Sequence, residues 1–281
     1  MGLAAEQRQL TWGITAFPLL LLQKGEQSSA EDKPPAPLEA ITQRLPEYSH
    51  HLMQMNVSRA LVELEKRDDL CVVGLQRNAE RDKLGYFIPL FISLPPQLVI
   101  RSSDEQTFSN GQPSVSLVQL LQRSDLRGAI LAGRNYGPQL MPILQKAQEQ
   151  GRLQLIQTSG SGSNLLDMLR HKRIDYALEY AETLQVMQTI DEMRPIVQSL
   201  SLLPLQETTK PIISGIYCSR TEQGKRLADQ IERIAREPEV IEYYRAASQS
   251  ITPEASRRHY RGWFEDYYNT RATRDWTNQQ E

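Results

Sequence analysis

The chain has 281 residues, 40% of them hydrophobic, and carries 32 Lys and Arg against 34 Asp and Glu for a formal net charge of -2. That balance argues against a nucleic-acid surface, which needs a clearly basic face, and no apolar run approaches the roughly 18 residues that span a bilayer. The length suits two compact lobes, because single hydrophobic cores stop growing near ~250–300 residues.

The opening Met1-Gly2-Leu3-Ala4-Ala5-Glu6 reads like the end of a cleaved secretory signal, which points to a periplasmic location with most of the signal missing from this chain. Leu10 to Ile14 reads as a first strand, followed by an aromatic-proline corner at Phe17-Pro18 and a polar, proline-bearing loop from Lys24 to Pro37. A short helix is expected over Leu38 to Leu45 and a strand over His50 to Met55. Asn56 then caps an amphipathic helix, Val57 to Arg67, with Ala60, Leu61 and Leu64 on one face. Leu70 to Leu75 is an apolar run bounded by charge, a buried strand. It breaks into a polar loop around Arg81 and turns apolar again at Tyr86.

A second block follows the strand-like Pro95 to Ser103. Its strands are expected at Ala129–Ala132, Leu153–Gln157 and Ile174–Glu179, and its helices at Leu140–Gln150 and Asn164–Arg170. Leu200–Leu205 crosses back, Pro211–Cys218 is a strand, and Thr221–Arg236 is a helix with more helices behind it. Trp263, Phe264 and Tyr267 sit at helical spacing and are expected to dock the last helix on the first lobe.

Arg81 offers a planar fork of donors suited to a carboxylate. Thr158 to Ser163, which includes Ser161, opens a helix but lacks the lysine of a phosphate-binding loop. Gly133 to Gly137 places Arg134, Asn135 and Tyr136 after a strand, and Glu179 and Tyr180 follow another, where the carboxylate can meet a ligand ammonium. His50, His51, His171 and His259 show no metal spacing and are assigned exposed or capping roles. No catalytic triad, metal site or cofactor fingerprint is found. Cys71 and Cys218 lie in strand-like runs, and either a disulfide between neighbouring strands or two buried thiols fits.

The order of these parts resembles the type II periplasmic solute-binding proteins, within them the amino-acid-binding extracellular solute-binding family 3. The residues that carry the likeness are Trp12, Phe17 and Pro18, the loop of Gln76, Asn78, Glu80 and Arg81 with Phe87 and Pro89 downstream, the turn of Leu126, Arg127 and Gly128, and the run LRHKRIDYAL from Leu169. The resemblance implies an α/β architecture of two lobes, each a mixed sheet flanked by helices, joined by two hinge strands. Lobe one takes residues 8–100 and 206–281, and lobe two 101–205. It also implies that Arg81 grips a ligand carboxylate with help from Gly74 and Gln76, that Phe17 and Ser161 line the site, and that the second lobe adds Arg134, Asn135, Tyr136, Glu179 and Tyr180. The family's amino-group acid aligns closer to Tyr180 than to Glu179. The implied partners are a small carboxylate-bearing ligand and an ABC permease or membrane sensor, with the protein a monomer. The alternatives are an enzyme on the same fold, similar to cyclohexadienyl dehydratase with Glu179 as acid or base, and a transcription regulator's effector domain, against which the missing helix-turn-helix counts.

Overall fold

The structure, a computed structural model, describes residues 8–15, 36–157 and 163–277. The Phe17-Pro18 corner, most of the Lys24 to Pro37 loop and Thr158 to Gly162 lie outside the described residues. No helix among the described residues is long and apolar enough to cross a membrane.

The chain forms two compact units. The first runs through Ser93 and resumes over Ile212–Ile251 and from Arg261; the second is Leu94–Pro211 with Thr252–Tyr260. In chain order the first begins with β1 (Arg8–Ile14), α1 (Ala36–Thr42), β2 (Tyr48–Gln54), α2 (Val57–Lys66), β3 (Leu70–Gln76), α3 (Ala79–Leu84) and β4 (Gly85–Ser93). The second contains β5 (Gln97–Arg101), α4 (Glu105–Ser109), α5 (Leu117–Leu120), β6 (Gly128–Leu131), α6 (Met141–Glu149), β7 (Leu153–Ile156), α7 (Ser163–Arg170), β8 (Tyr176–Glu179), α8 (Ala181–Met187), α9 (Arg194–Gln198) and β9 (Leu200–Leu203). The chain then returns through β10 (Ile212–Ser219), α10 (Glu222–Ala235) and α11 (Pro238–Ile251), with α12 (Glu254–His259) grouped with the second unit and α13 (Arg261–Thr270) with the first. β5 hydrogen-bonds β8 and β9, so 97–100 groups with the second unit rather than the first.

The two sheets share one plan. The first has the order β2-β1-β3-β10-β4 and the second β7-β6-β8-β5-β9, each with a single antiparallel strand next to one edge. The strand sequences explain why both faces are covered. In the second unit Leu98, Ile100, Ile130, Tyr176 and Leu178 enter one core, while the alternating Val99, Ala129, Leu131 and Ala177 enter the other. A strand buried on both faces reads as a continuous apolar run because successive side chains point to opposite sides.

Two glycines are required by backbone geometry in the first sheet. Gly74 has φ +83° and is skipped between the pairs Leu75–Gly215 and Val73–Ile216, which makes a β-bulge. A Cβ at Gly215 would fall 1.9 Å from the Ile88 carbonyl oxygen. Cys71 and Cys218 are directly opposed on β3 and β10 and form a disulfide. His50 corrects the expectation of an exposed or capping histidine. It is half-buried on β2, with Nδ1 accepting the indole N–H of the fully buried Trp12 at 3.0 Å, and its burial lowers its pKa.

Candidate functional site

In an open α/β sheet, ligands bind beyond the carboxyl ends of the parallel strands. In the first unit β3 ends there at Gln76, just past the Gly74 bulge. The segment around Arg81 is not a loop but the six-residue helix α3. Asn78 caps it, its side chain accepting the Arg81 backbone N–H at 2.8 Å. No residue of α3 is buried, so the helix has no apolar periodicity for the sequence to display. The half-buried Arg81 turns back on its own strand, with Nη1 donating to the Gln76 carbonyl at 2.5 Å.

Neighbours that sequence reasoning missed fix this helix. Arg77 is salt-bridged to Asp82 at 2.9 Å and lies 5.8 Å over the Phe87 ring. The Tyr217 hydroxyl donates to the other Asp82 oxygen at 2.7 Å and accepts the Asn78 backbone N–H at 3.3 Å. Tyr217 precedes Cys218, so the disulfide strand also braces the arginine helix. The only local signal for it is a tyrosine in an otherwise apolar run.

The second unit brings together five of the predicted residues. β6 ends at Leu131 and β8 at Glu179, side by side in a parallel pair. The Arg134 Nη2 donates to Glu179 Oε1 and also to the Thr183 hydroxyl, the latter at 2.9 Å. Its guanidinium lies 5.3 Å from the centre of the Tyr180 ring. The Tyr180 hydroxyl donates to the Asn135 carbonyl at 2.7 Å, and the Tyr136 hydroxyl accepts the Leu131 N–H at 2.9 Å. Asn135 closes its own turn, its side chain accepting the Gly137 N–H at 2.9 Å. Arg134 and Glu179 therefore form an ion pair with each other. Burial raises the Glu179 pKa, opposed by the Arg134 charge and by the Tyr180 N–H and Thr183 hydrogen bonds.

One turn on, Glu182 is also buried. Its Oε1 accepts the Leu94 N–H at 3.1 Å, and its Oε2 has no hydrogen-bond partner among the described residues. Burial pushes its pKa up to about 7, helped by the charge of Glu179. Thr183 and Glu182 escaped the sequence reading because their roles depend on partners far along the chain. Phe17 and Ser161 lie outside the described residues. No group of three or more His, Cys, Asp or Glu able to hold a metal is present among the described residues.

No protein-family model matches this chain, and no curated protein matches it in sequence. Solved structures do match in shape. A structure described for glutathione import through GshT and the cystine ABC importer TcyBC of Streptococcus mutans superposes with TM-score 0.61 at 11% identity, covering 89% of this chain and 99% of that one. The fold is that of the type II periplasmic solute-binding proteins. The amino-acid ABC transporter substrate-binding protein AbpA of Streptococcus pneumoniae, bound to L-arginine, gives TM-score 0.58 at 13% identity, over 88% of this chain and 97% of that one. An ancestral cationic amino acid solute-binding protein gives 0.58 at 10% identity, over 87% and 96%. At such identities the likeness concerns architecture, and the roles of individual residues rest on their geometry.

Proposed function

We propose that this protein is an extracytoplasmic solute-binding protein that captures a small carboxylate-bearing ligand without catalysis, by closure of its lobes, and hands it to an ABC permease or reports it to a membrane sensor. The observation that carries this reading is the placement of Arg81. It sits on a capped and braced helix just beyond the carboxyl end of β3, half-buried, in a fold whose solved examples include named amino-acid binding proteins. A guanidinium so held suits a forked, charge-assisted grip on a carboxylate. The enzyme alternative needs Glu179 as acid or base, and that carboxylate is buried and engaged by Arg134.

A thermal-shift panel of small carboxylates, amino acids and short peptides tests the reading. A ligand at 100 times its Kd stabilises the native state by about 2.7 kcal/mol, so at least one carboxylate is expected to raise the melting temperature by several degrees. Stabilisation by neutral or cationic compounds alone contradicts it.

A further inference from the structure

A cavity of about 460 Å³ opens within the first unit beside the edge strand β4, walled by Tyr86 and Phe87 of that strand, by α10, by Arg77 ahead of α3 and by Asp275 beyond α13. Its size suits a small organic molecule. Four acids line it, and each is held by groups of the same unit. Asp82 takes Arg77 and the Tyr217 hydroxyl, Asp229 takes Lys225 at 2.5 Å, Glu232 takes Arg236 and Arg271, and Asp275 takes the Thr277 hydroxyl and N–H. None of these four has a buried side-chain oxygen that lacks a partner among the described residues.

The donors are not used up. Arg77 gives Nε and Nη2 to one Asp82 oxygen, at 3.0 and 2.9 Å, while its buried Nη1 has no hydrogen-bond partner among the described residues. A buried donor left unmade forfeits its solvation, which favours an acceptor from outside. Arg220 is the cation beside it. Its Nη1 donates to the backbone carbonyl of the same Asp82 at 2.5 Å, its guanidinium stands 5.3 Å from the centre of the Tyr86 ring, and it forms no ion pair among the described residues. Lys225 Nζ lies 5.8 Å from the same ring. Counting Arg271, bound to Glu232, five cations meet four acids here, and the surplus charge is that of Arg220.

We infer that this cavity is an oxyanion site for a phosphate group, free or carried on a small organic body, with Arg77 Nη1 and Arg220 as its donors and Lys225 as the charge beside them. A guanidinium presents its donors in a fork that matches phosphate oxygens, and an ammonium adds a point charge. Arg81 does not line the cavity, so the site is separate from the proposed carboxylate grip and does not depend on it.

Calorimetric titration with inorganic phosphate, glycerol 3-phosphate and acetate, at neutral pH and constant ionic strength, tests the site. At least one of the two phosphates is expected to bind with a Kd below about 1 mM, roughly tenfold or more tightly than acetate. Tighter binding of inorganic phosphate assigns the cavity to the free ion, and tighter binding of glycerol 3-phosphate assigns it to a monoester. Arg220→Gln, at an exposed position, is expected to weaken that binding roughly tenfold or more. Arg77→Lys keeps a charge for Asp82 but removes the second arm of the fork, and is expected to weaken it as well. Acetate binding as tightly as both phosphates, or an unchanged phosphate affinity in Arg220→Gln, overturns the assignment. So does the absence of saturable binding by either phosphate in the wild-type protein, a comparison that needs no variant to fold.

Discussion

Arg271 shows how much one side chain can carry. Its side chain is 1% exposed on the segment after α13, yet it is fully engaged: Nε and Nη2 donate to the Pro89 carbonyl at 3.0 and 2.8 Å, and Nη2 is salt-bridged to Glu232 at 2.6 Å. β4 is an edge strand, and this arginine covers its exposed carbonyl where Pro89 has no N–H to offer. Arg271→Met strands the Pro89 carbonyl and leaves the Glu232 carboxylate with Arg236 as its remaining partner, and a buried acceptor left unsatisfied costs about 1 to 3 kcal/mol. Guanidinium unfolding is expected to show a loss of that order, and a loss under about 1 kcal/mol would refute this view of Arg271. None of this was legible locally, since the sequence around residue 271 mixes bases and acids in a way that suits any solvated tail.

At the scale of elements, strands and capped helices were largely legible and α3 was not. Strands such as Leu70–Gln76 announce themselves as apolar runs, and Asn56 caps α2 as its sequence predicts, its side chain accepting the Arg59 N–H at 2.9 Å. α3 has no buried face, so nothing in its pattern separates it from a loop. β5 shows a further limit: its apolar run is plain, but the sheet it joins is decided by pairing with β8 and β9, far along the chain. The pairing of Arg134 with Glu179 is long-range in the same sense. α8 carries the clearest pH signature. Glu182 has its pKa raised from 4.5 to about 7, so the native state binds the proton more tightly than the unfolded chain. Its contribution is present below pH 4.5 and is lost as pH rises through 7, reaching about 3 kcal/mol at pH 8 by the usual conversion. Glu182→Gln is therefore expected to be more stable than the parent at pH 8 and to approach it at pH 5 in thermal melts. Equal melting temperatures at pH 8 would remove Glu182 as the source.

For the molecule as a whole, the Cys71–Cys218 bond closes a sequence separation of 147 residues, a loop that contains nearly all of the second unit. Cross-links over loops of this length stabilise by about 2 to 5 kcal/mol. All three tryptophans, Trp12, Trp263 and Trp276, belong to the first unit, so their fluorescence reports its unfolding separately. The double variant Cys71→Ala with Cys218→Ala is expected to lower the guanidinium midpoint read by tryptophan fluorescence, and an unchanged midpoint would contradict a stabilising role. Two lobes were expected from the chain length and from the family resemblance, whereas the strand order that the two sheets share was not legible, because it is set by long-range pairing and no repeat shows in the sequence. The central claim remains that this architecture presents Arg81 to a ligand carboxylate. Calorimetric titration of wild type and Arg81→Lys with the best carboxylate stabiliser tests it most directly, since lysine keeps the charge and loses the fork. The account predicts a loss of about 2 to 5 kcal/mol, a Kd raised roughly 30-fold or more; an unchanged Kd would contradict it.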